Sequence, residues 1–275
     1  MNLKNAFLRV SVETSEQFDE AVKTPGVELI YIDAGYFTAS SWRELVKRAH
    51  KGTGGIGKLI GLRFPHIWRT ESEKFFADEL GTLKNAEFDC WLVRNMETAL
   101  WLKENGIAVS GEKIIFDHTV YSFNSVTDEA ISDISGFSGY TGTFSLEESG
   151  KEISAMSRNT DGYKELCVYG RVPMMVTAQC VRKTALRCDR RMCVMKLKDR
   201  TGMFLPVKNC CTFCCNTVYN GVPTVLFDLG DELSEIAPDF IRYEFTTEAP
   251  EEVRSILKGE MPRFFTRGHF RKGVM

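Results

Sequence analysis

The sequence predicts an α/β chain of 275 residues folded as a (β/α)8, TIM-like barrel. Three observations predict it. Short apolar runs of strand length recur eight times, and helical patterns separate them. The alternation breaks only between the seventh and eighth runs, where a long insertion holds most of the cysteines. The chain, 1–275, reads as one domain, with 171–238 as a Cys-rich insertion over the barrel mouth.

The first strand, 7–12, leads to a helix over 16–23 that Thr14-Ser15 caps. Strand 28–32 precedes helix 40–48. The run Gly52-Thr-Gly-Gly-Ile-Gly57-Lys58 formally fits a phosphate-binding loop, but Leu59 stands where Ser or Thr must hold Mg²⁺. The run also precedes strand 59–64 instead of following one, so it reads as a turn. Helix 71–80, strand 90–93, helix 97–105 and strand 114–117 come next. Ser125 caps helix 126–135, strand 141–146 follows, and Ser145 caps helix 146–156. Strand 166–170 is the seventh, and strand 240–246 with helix 250–258 closes the series. The runner-up is an open doubly wound sheet. No glycine-rich turn follows the first strand, which argues against its dinucleotide-binding version.

Within the insertion, 193–197 and 203–207 flank a turn ending in Gly202 and read as a β-hairpin, and 231–236 reads as a short helix. Insertions after strand C-termini lie on the catalytic face of a barrel, which puts this segment over the mouth.

Composition is that of a globular protein, with no run of membrane-spanning length and no secretory leader. A cytoplasmic location, where thiols stay reduced, is therefore expected, with no membrane partner. Net charge is −2, yet nine Lys and Arg fall between Val181 and Lys208 against Asp189 and Asp199. Arg263, Arg267, Arg271 and Lys272 follow near the end. Two basic segments on a neutral body suit an anionic partner, a small carboxylate, a phosphate or RNA; solubility and charge balance for thiolates is the plainer reading.

Seven of the nine cysteines lie between positions 180 and 215: Cys180, Cys188, Cys193, Cys210, Cys211, Cys214 and Cys215. Such density in a reducing compartment points to a metal or iron–sulfur site. Cys211-x2-Cys214 is half of a zinc knuckle, but no second such pair or nearby His completes it. Iron–sulfur clusters need four thiolates and tolerate irregular spacing, so a 4Fe-4S cluster is expected ahead of zinc. Adjacent cysteines seldom both ligate one cluster, so Cys210 or Cys211, and Cys214 or Cys215, are alternatives.

Arg63, His66, Arg94, Asp117, His118, Arg171, Glu244 and Glu248 fall at or just past predicted strand ends, where a barrel builds its active site. Arg63, Arg94 and Arg171 are candidates to clamp an anion, and His118 with Asp117 and Arg171 to act in catalysis. Each is equally readable as one half of a structural salt bridge. No nucleophile elbow, His-Glu-x-x-His helix or recognisable Asp pair gives a standard hydrolase mechanism residue support.

The run ELCVYGRVPMMVTAQC from Glu165 to Cys180 resembles the signature of the collagenase-like peptidase family of unassigned catalytic type, peptidase family U thirty-two. The resemblance continues through 197–202, 205–207, Cys211, 218–220 and 242–246, and ends at 266–270. Weaker similarity at 122–125 and 145–147 carries it into the N-terminal half, and the match is closest to the C-terminal half of the family's longer members. The resemblance implies either a peptidase or, as in other members, a 4Fe-4S enzyme of oxygen-independent hydroxylation. In those members the substrate is a tRNA or rRNA base or a ubiquinone precursor, and prephenate is implicated as the hydroxyl source. By position, the resemblance matches Cys180 to the first cluster ligand, Cys188 or Cys193 to the next, and Cys210 or Cys211 to the one after the hairpin. Pro173 stands where some cluster-bearing members have cysteine, so the fourth ligand falls to an extra cysteine, Cys193 or Cys214. The ligand set this implies is Cys180, Cys188, Cys193 and Cys211. A metal-stabilised, non-catalytic protein that needs a partner subunit is the third expectation.

Overall fold

The computed structural model describes residues 6–159, 162–185 and 187–274. Strands β1 (Phe7–Val12), β2 (Val27–Asp33), β3 (Leu59–Arg63), β4 (Cys90–Val93), β5 (Ile114–Phe116), β6 (Thr141–Thr143) and β7 (Tyr163–Gly170) pair in sequence order, all parallel. Four further strands intervene: β8 (Pro173–Thr177), β9 (Val194–Lys198), β10 (Phe204–Cys210) and β11 (Cys215–Tyr219). The short β12 (Thr224–Val225) then runs antiparallel to β7, and β13 (Phe240–Glu244) slots between β7 and β1 to close an eight-stranded parallel barrel.

Helices α1 (Ser15–Lys23), α2 (Ala39–Lys51), α3 (Thr70–Asp78), α4 (Leu80–Asn85), α5 (Met96–Glu104), α6 (Ser125–Ser135) and α7 (Gly150–Asn159) follow the first six strands. The insertion adds α8 (Val181–Ala185) and α9 (Gly230–Ile236), and α10 (Pro250–Leu257) follows β13. Thr14 caps α1 by accepting from the Gln17 amide at 3.2 Å, as the sequence predicts.

Side-chain parity divides the barrel into two environments. Val10, Val12, Ile30, Ile32, Ile60, Leu62, Leu166 and Val168 share the large core with helix residues such as Trp42, Leu45 and Phe76. Each aliphatic side chain so buried stabilises the fold by ~1.5–3 kcal/mol. The alternate residues form a small apolar plug, Leu29, Tyr31, Cys90, Leu92 and Ile115, and a charged set that includes Arg9, Arg63, Glu165 and Arg242.

Four expectations shift in detail. The helix over 71–80 divides at Glu79, whose φ/ψ of −97°/10° leaves the α region and separates α3 from α4. Strand 141–146 ends at Thr143. Helix 146–156 starts only at Gly150, because Ser149 and Glu152 form the reciprocal cap: the Ser149 amide donates to Glu152 Oε2 at 2.6 Å. The insertion holds a four-stranded antiparallel sheet, β8-β11-β10-β9, where only the β9–β10 hairpin was predicted.

That sheet is tied to the C-terminal ends of the barrel strands. Lys208 Nζ on β10 donates to Glu13 at 2.6 Å and to the Thr246 carbonyl at 2.7 Å, and Thr212 donates to the Gly35 carbonyl at 2.8 Å. Gly170, in the Tyr-Gly-Arg run, lets β7 turn into β8. Its φ is +154°, and a Cβ there would lie 2.9 Å from Glu244 Cβ and 3.0 Å from the Glu244 carbonyl oxygen.

Candidate functional site

At the C-terminal end of the barrel the inward positions carry charge, and all of it is buried. Arg63 pairs with Glu244 and donates to Ser11 Oγ at 2.9 Å, with Glu13 at 3.6 Å and Asp33 at 3.8 Å. Arg94 bridges Asp33 at 3.1 Å and Asp117 at 3.3 Å. Arg242 pairs with Asp117 and sits 2.8 Å from Glu165, which Arg9 also meets at 3.1 Å. Removing such charges from water costs several kcal/mol each, so every guanidinium needs a carboxylate and every carboxylate a donor.

The pairing sets the protonation states. Burial alone would raise the Asp117 carboxyl, but Arg242, His118 and Arg63 outweigh it and hold it well below the carboxylate range. Burial likewise works against Glu244, which Arg63, His118 and Arg242 bring down to about 2. Glu13 goes the other way. Its burial dominates the pull of Lys208 and the carboxyl is pushed up to about 7. Burial, aided by Arg63, depresses His66 to about 4.

The structure thus brings Arg63, Arg94, Asp117, His118 and Glu244 into one cluster. Arg63 and Arg94 face protein carboxylates, so an incoming anion would exchange with Asp33, Asp117 or Glu244. Arg171 stands apart, donating to the Gly221 carbonyl at 2.7 Å and lying 3.5 Å from Glu248. Among the described residues, ligand atoms of His118, Cys167 and Glu244 lie within 4.8 Å of one another. Guanidiniums already engage two of them: Arg242 Nε donates to Cys167 Sγ at 3.2 Å, and Arg63 holds Glu244.

Arg9, Glu13, Asp33, Glu165 and Arg242 belong to this network and were not singled out from the sequence. Their signal is parity. Arg9, Ser11 and Glu13 recur at every second position of the first strand, as Arg242 and Glu244 do on the last.

The second cluster is made of thiols. The hairpin closing β10 and β11 contains two cysteine doublets, with Cys210 directly opposite Cys215 in register and Cys214 left-handed at φ +49°. Each doublet is split between two sides. Cys210 is buried in the main core and Cys215 packs against it. Cys211 instead has Cys180, Cys188, Cys214 and Cys193 as charge neighbours, which add to the rise that burial gives its pKa. Cys180, Cys188, Cys211 and Cys214 line a cavity of about 430 Å³ against Glu71 and Lys74 of α3, and Cys210 borders it from the core side. Two donors already point at sulfur: Asn209 Nδ2 to Cys211 at 3.2 Å and Arg182 Nη1 to Cys193 at 3.2 Å.

The donor set fits an iron–sulfur cluster. It is all thiol, and Cys180, Cys188, Cys211 and Cys214 share one cavity, with Cys193 near enough to act on the charge of Cys211. Tetrahedral zinc at ~2.3 Å from each sulfur brings its sulfurs within about 3.8 Å of one another. Among the described residues no three cysteine sulfurs converge within 4.8 Å, an arrangement wider than a single-ion cage.

The two basic segments are partly neutralised internally. Arg182 pairs with Asp189, Arg267 with Asp228 at 2.8 Å and Arg271 with Glu232 at 2.8 Å. Lys183, Arg187, Arg190, Lys196, Lys198 and Arg200 remain exposed on the insertion. Among the described residues no helix is long and apolar enough to cross a membrane.

No family model matches the chain, and no curated protein matches it in sequence. Solved structures do match in shape. The structure of the U32 peptidase Mk0906 superposes with a TM-score of 0.52 at 12% identity, over 89% of this chain and 94% of that one. The YdjI aldolase from Escherichia coli K12 gives 0.39 at 10% identity, over 59% and 66%. The first of these places the fold alongside that of a U32 peptidase.

Proposed function

We propose that this chain, which shares its fold with a U32 peptidase and carries a collagenase-like signature at 165–180, is an iron–sulfur enzyme. Its reaction in this reading is oxygen-independent hydroxylation of a tRNA or rRNA base, or of a related small molecule. The observation that carries the reading is one cavity on the insertion lined by Cys180, Cys188, Cys211 and Cys214. Cys180, Cys188, Cys193 and Cys211 would hold a 4Fe-4S cluster, with Cys214 as the spare. Such a cluster supplies one-electron transfer at a potential set by its surroundings. The Asn209 and Arg182 donors to sulfur would tune that potential.

The barrel residues supply the rest. Arg63 and Arg94, which share Asp33, bind an anionic small molecule, prephenate being the expectation, by exchanging carboxylate partners for those of the ligand, and Arg171, which stands apart, meets it only from the rim. Asp117, held ionised, fixes the Arg94 and Arg242 guanidiniums and is too weak a base to take a proton itself, while His118 lies 3.8 Å from it and from Glu244. The exposed basic residues of the insertion meet the phosphates of RNA. A cytoplasmic setting, which keeps the thiols reduced, belongs to the same proposal.

Anaerobic purification followed by iron, sulfide and zinc analysis tests it. About four irons per chain with sulfide and broad sulfur-to-iron absorption is the expected result. One zinc and no iron would overturn it in favour of a structural metal in a protein that works with a partner subunit. Proteolysis is the second reading, favoured by the shared fold with a U32 peptidase. It requires cleavage of denatured collagen by a preparation free of other proteases, at a rate unaffected by removing the metal.

A further inference from the structure

The cysteine doublets leave two thiols outside the cluster. Cys210 and Cys215 occupy opposite register positions at the last rung of the β10–β11 ladder. Directly opposed residues of an antiparallel pair have Cα atoms ~4.5–5.5 Å apart, within the ~4.4–6.8 Å that a disulfide spans. Directly opposed residues of an antiparallel pair put their side chains on the same face of the sheet, so the two thiols stand side by side. Cys211 and Cys214 line the cavity beside α3 with Cys180 and Cys188; Cys210 borders that cavity too, and Cys215 is not among its lining residues.

The pocket around this pair is shaped for sulfur. Cys210 Sγ lies 3.6 Å from the Gly35 carbonyl, and a Cβ on Gly35 would come within 2.6 Å of that sulfur. Phe213, itself buried, closes another side, its ring 3.2 Å from the same point. Cys210 is 6% exposed, whereas Cys215 is only part-buried and so is the thiol that a reagent reaches first.

We infer that Cys210 and Cys215 form a dithiol–disulfide site, separate from the metal-holding thiols, that exchanges with a small-molecule disulfide. In the first step Cys215 sulfur attacks one sulfur of the disulfide R–S–S–R. The old S–S bond breaks, R–S⁻ leaves and takes up the proton lost from Cys215, and Cys215 carries the mixed disulfide. Cys210 sulfur then attacks Cys215 sulfur, the Cys210–Cys215 bond forms, and the second R–S⁻ leaves as R–SH with the Cys210 proton. Two protein thiols are oxidised and one small disulfide is reduced to two thiols, a two-electron exchange. It needs no cluster.

The test equilibrates the full chain anaerobically with glutathione and glutathione disulfide at graded ratios, then blocks free thiols and cleaves after Lys and Arg. Residues 209–242 form one peptide that holds Cys210, Cys211, Cys214 and Cys215. The decisive protein is Cys211→Ser/Cys214→Ser, in which only the proposed pair remains in that peptide. The expected result is a 209–242 peptide lighter by two hydrogens and unblocked, reversing as glutathione rises. Cys215→Ser should abolish this closure within the peptide while its iron content stays at the wild-type level. Overturning results are a peptide of the Cys211→Ser/Cys214→Ser protein that stays fully blocked at every ratio, or a Cys215→Ser protein that loses its iron. Far-UV circular dichroism of each variant identifies one that fails to fold, and for such a variant the same closure is read in wild type by fragmenting the peptide between Cys210 and Cys211 and between Cys214 and Cys215. A 210–215 link keeps the outer fragments joined while a blocked 211–214 segment is released, and any other pattern refutes it.

Discussion

Arg242 donates to the Asp117 carboxylate inside the barrel, joining the last strand to the turn after the fifth. These strands are not neighbours in the sheet, so the bond spans the interior and β-ladder hydrogen bonds play no part in it. The same guanidinium reaches Glu165 on β7 at 2.8 Å and Cys167 at 3.2 Å. One side chain therefore fixes three partners, and the charge it carries is the one the surrounding carboxylates require.

Arg242→Met should cost about 3–5 kcal/mol of stability, because Asp117 and Glu165 stay buried with a cation missing. Urea unfolding of the variant measures the loss. Adding Asp117→Asn to it should recover part of the stability, since the uncompensated charge is then removed as well. Strictly additive losses in the double variant would show that the two residues are not coupled.

Stability should fall steeply in acid. Glu244 is brought down to about 2 from an ordinary 4.5, so its contribution is present above about pH 4.5 and is lost as pH falls through 2. A shift of that size corresponds to about 3 kcal/mol. Asp117 acts in the same sense. His66, depressed to about 4, contributes stability above pH 6.5 that fades as pH falls to 4. Glu13, raised to about 7, contributes below pH 4.5 and loses that contribution as pH rises through 7. The last two oppose each other between about 4.5 and 6.5. Melting temperature should therefore vary little there and drop below it; an equal melting temperature at pH 5 and pH 3 would contradict the ionised state assigned to Glu244.

Gly35→Ala tests how the insertion sits on the barrel. The added Cβ would meet Cys210 Sγ at 2.6 Å, Asp33 Oδ1 at 3.1 Å and Phe213 at 3.2 Å, so the β10–β11 hairpin must move. Overpacking of this kind costs about 1–3 kcal/mol. Hydrogen exchange should rise in 204–219 while the β4 and β5 amides stay protected. Uniform exchange throughout would mean that the contact is not the anchor.

Much of this architecture was readable in the residues. All eight barrel strands were anticipated because apolar runs such as Leu166–Val168 face the helices and stand out in any window. β8 and β11 were not, because the adjacent Met174 and Met175 are both exposed and leave Pro173–Thr177 without alternation, and Cys215–Tyr219 opens on the polar run Cys-Asn-Thr. The cysteine cluster was legible from density alone. Its division was not, since Cys210 and Cys211 are equal in the sequence and are separated only by the face each takes in a strand. Arg242 escaped for a related reason: one charge within FIRYE gives no sign of a partner at Asp117, 125 residues away.

Cys211→Ser should have the largest effect on metal content of any single cysteine change. Cys211 lines the cavity that Cys180, Cys188 and Cys214 also line, and it is the thiol that Asn209 orients. Losing a peripheral ligand is less severe where a neighbour can substitute, and Cys214 stands beside Cys211 with no such orienting bond among the described residues. Iron per chain, measured after anaerobic reconstitution, should therefore fall below half of wild type in Cys211→Ser and recover partly with time in Cys188→Ser. Cys90→Ser is the control, because that thiol lies buried in the interior plug, away from the insertion, and its iron should be unchanged. Equal iron in wild type and Cys211→Ser would remove Cys211 from the ligand set and return the choice to the remaining thiols of the insertion.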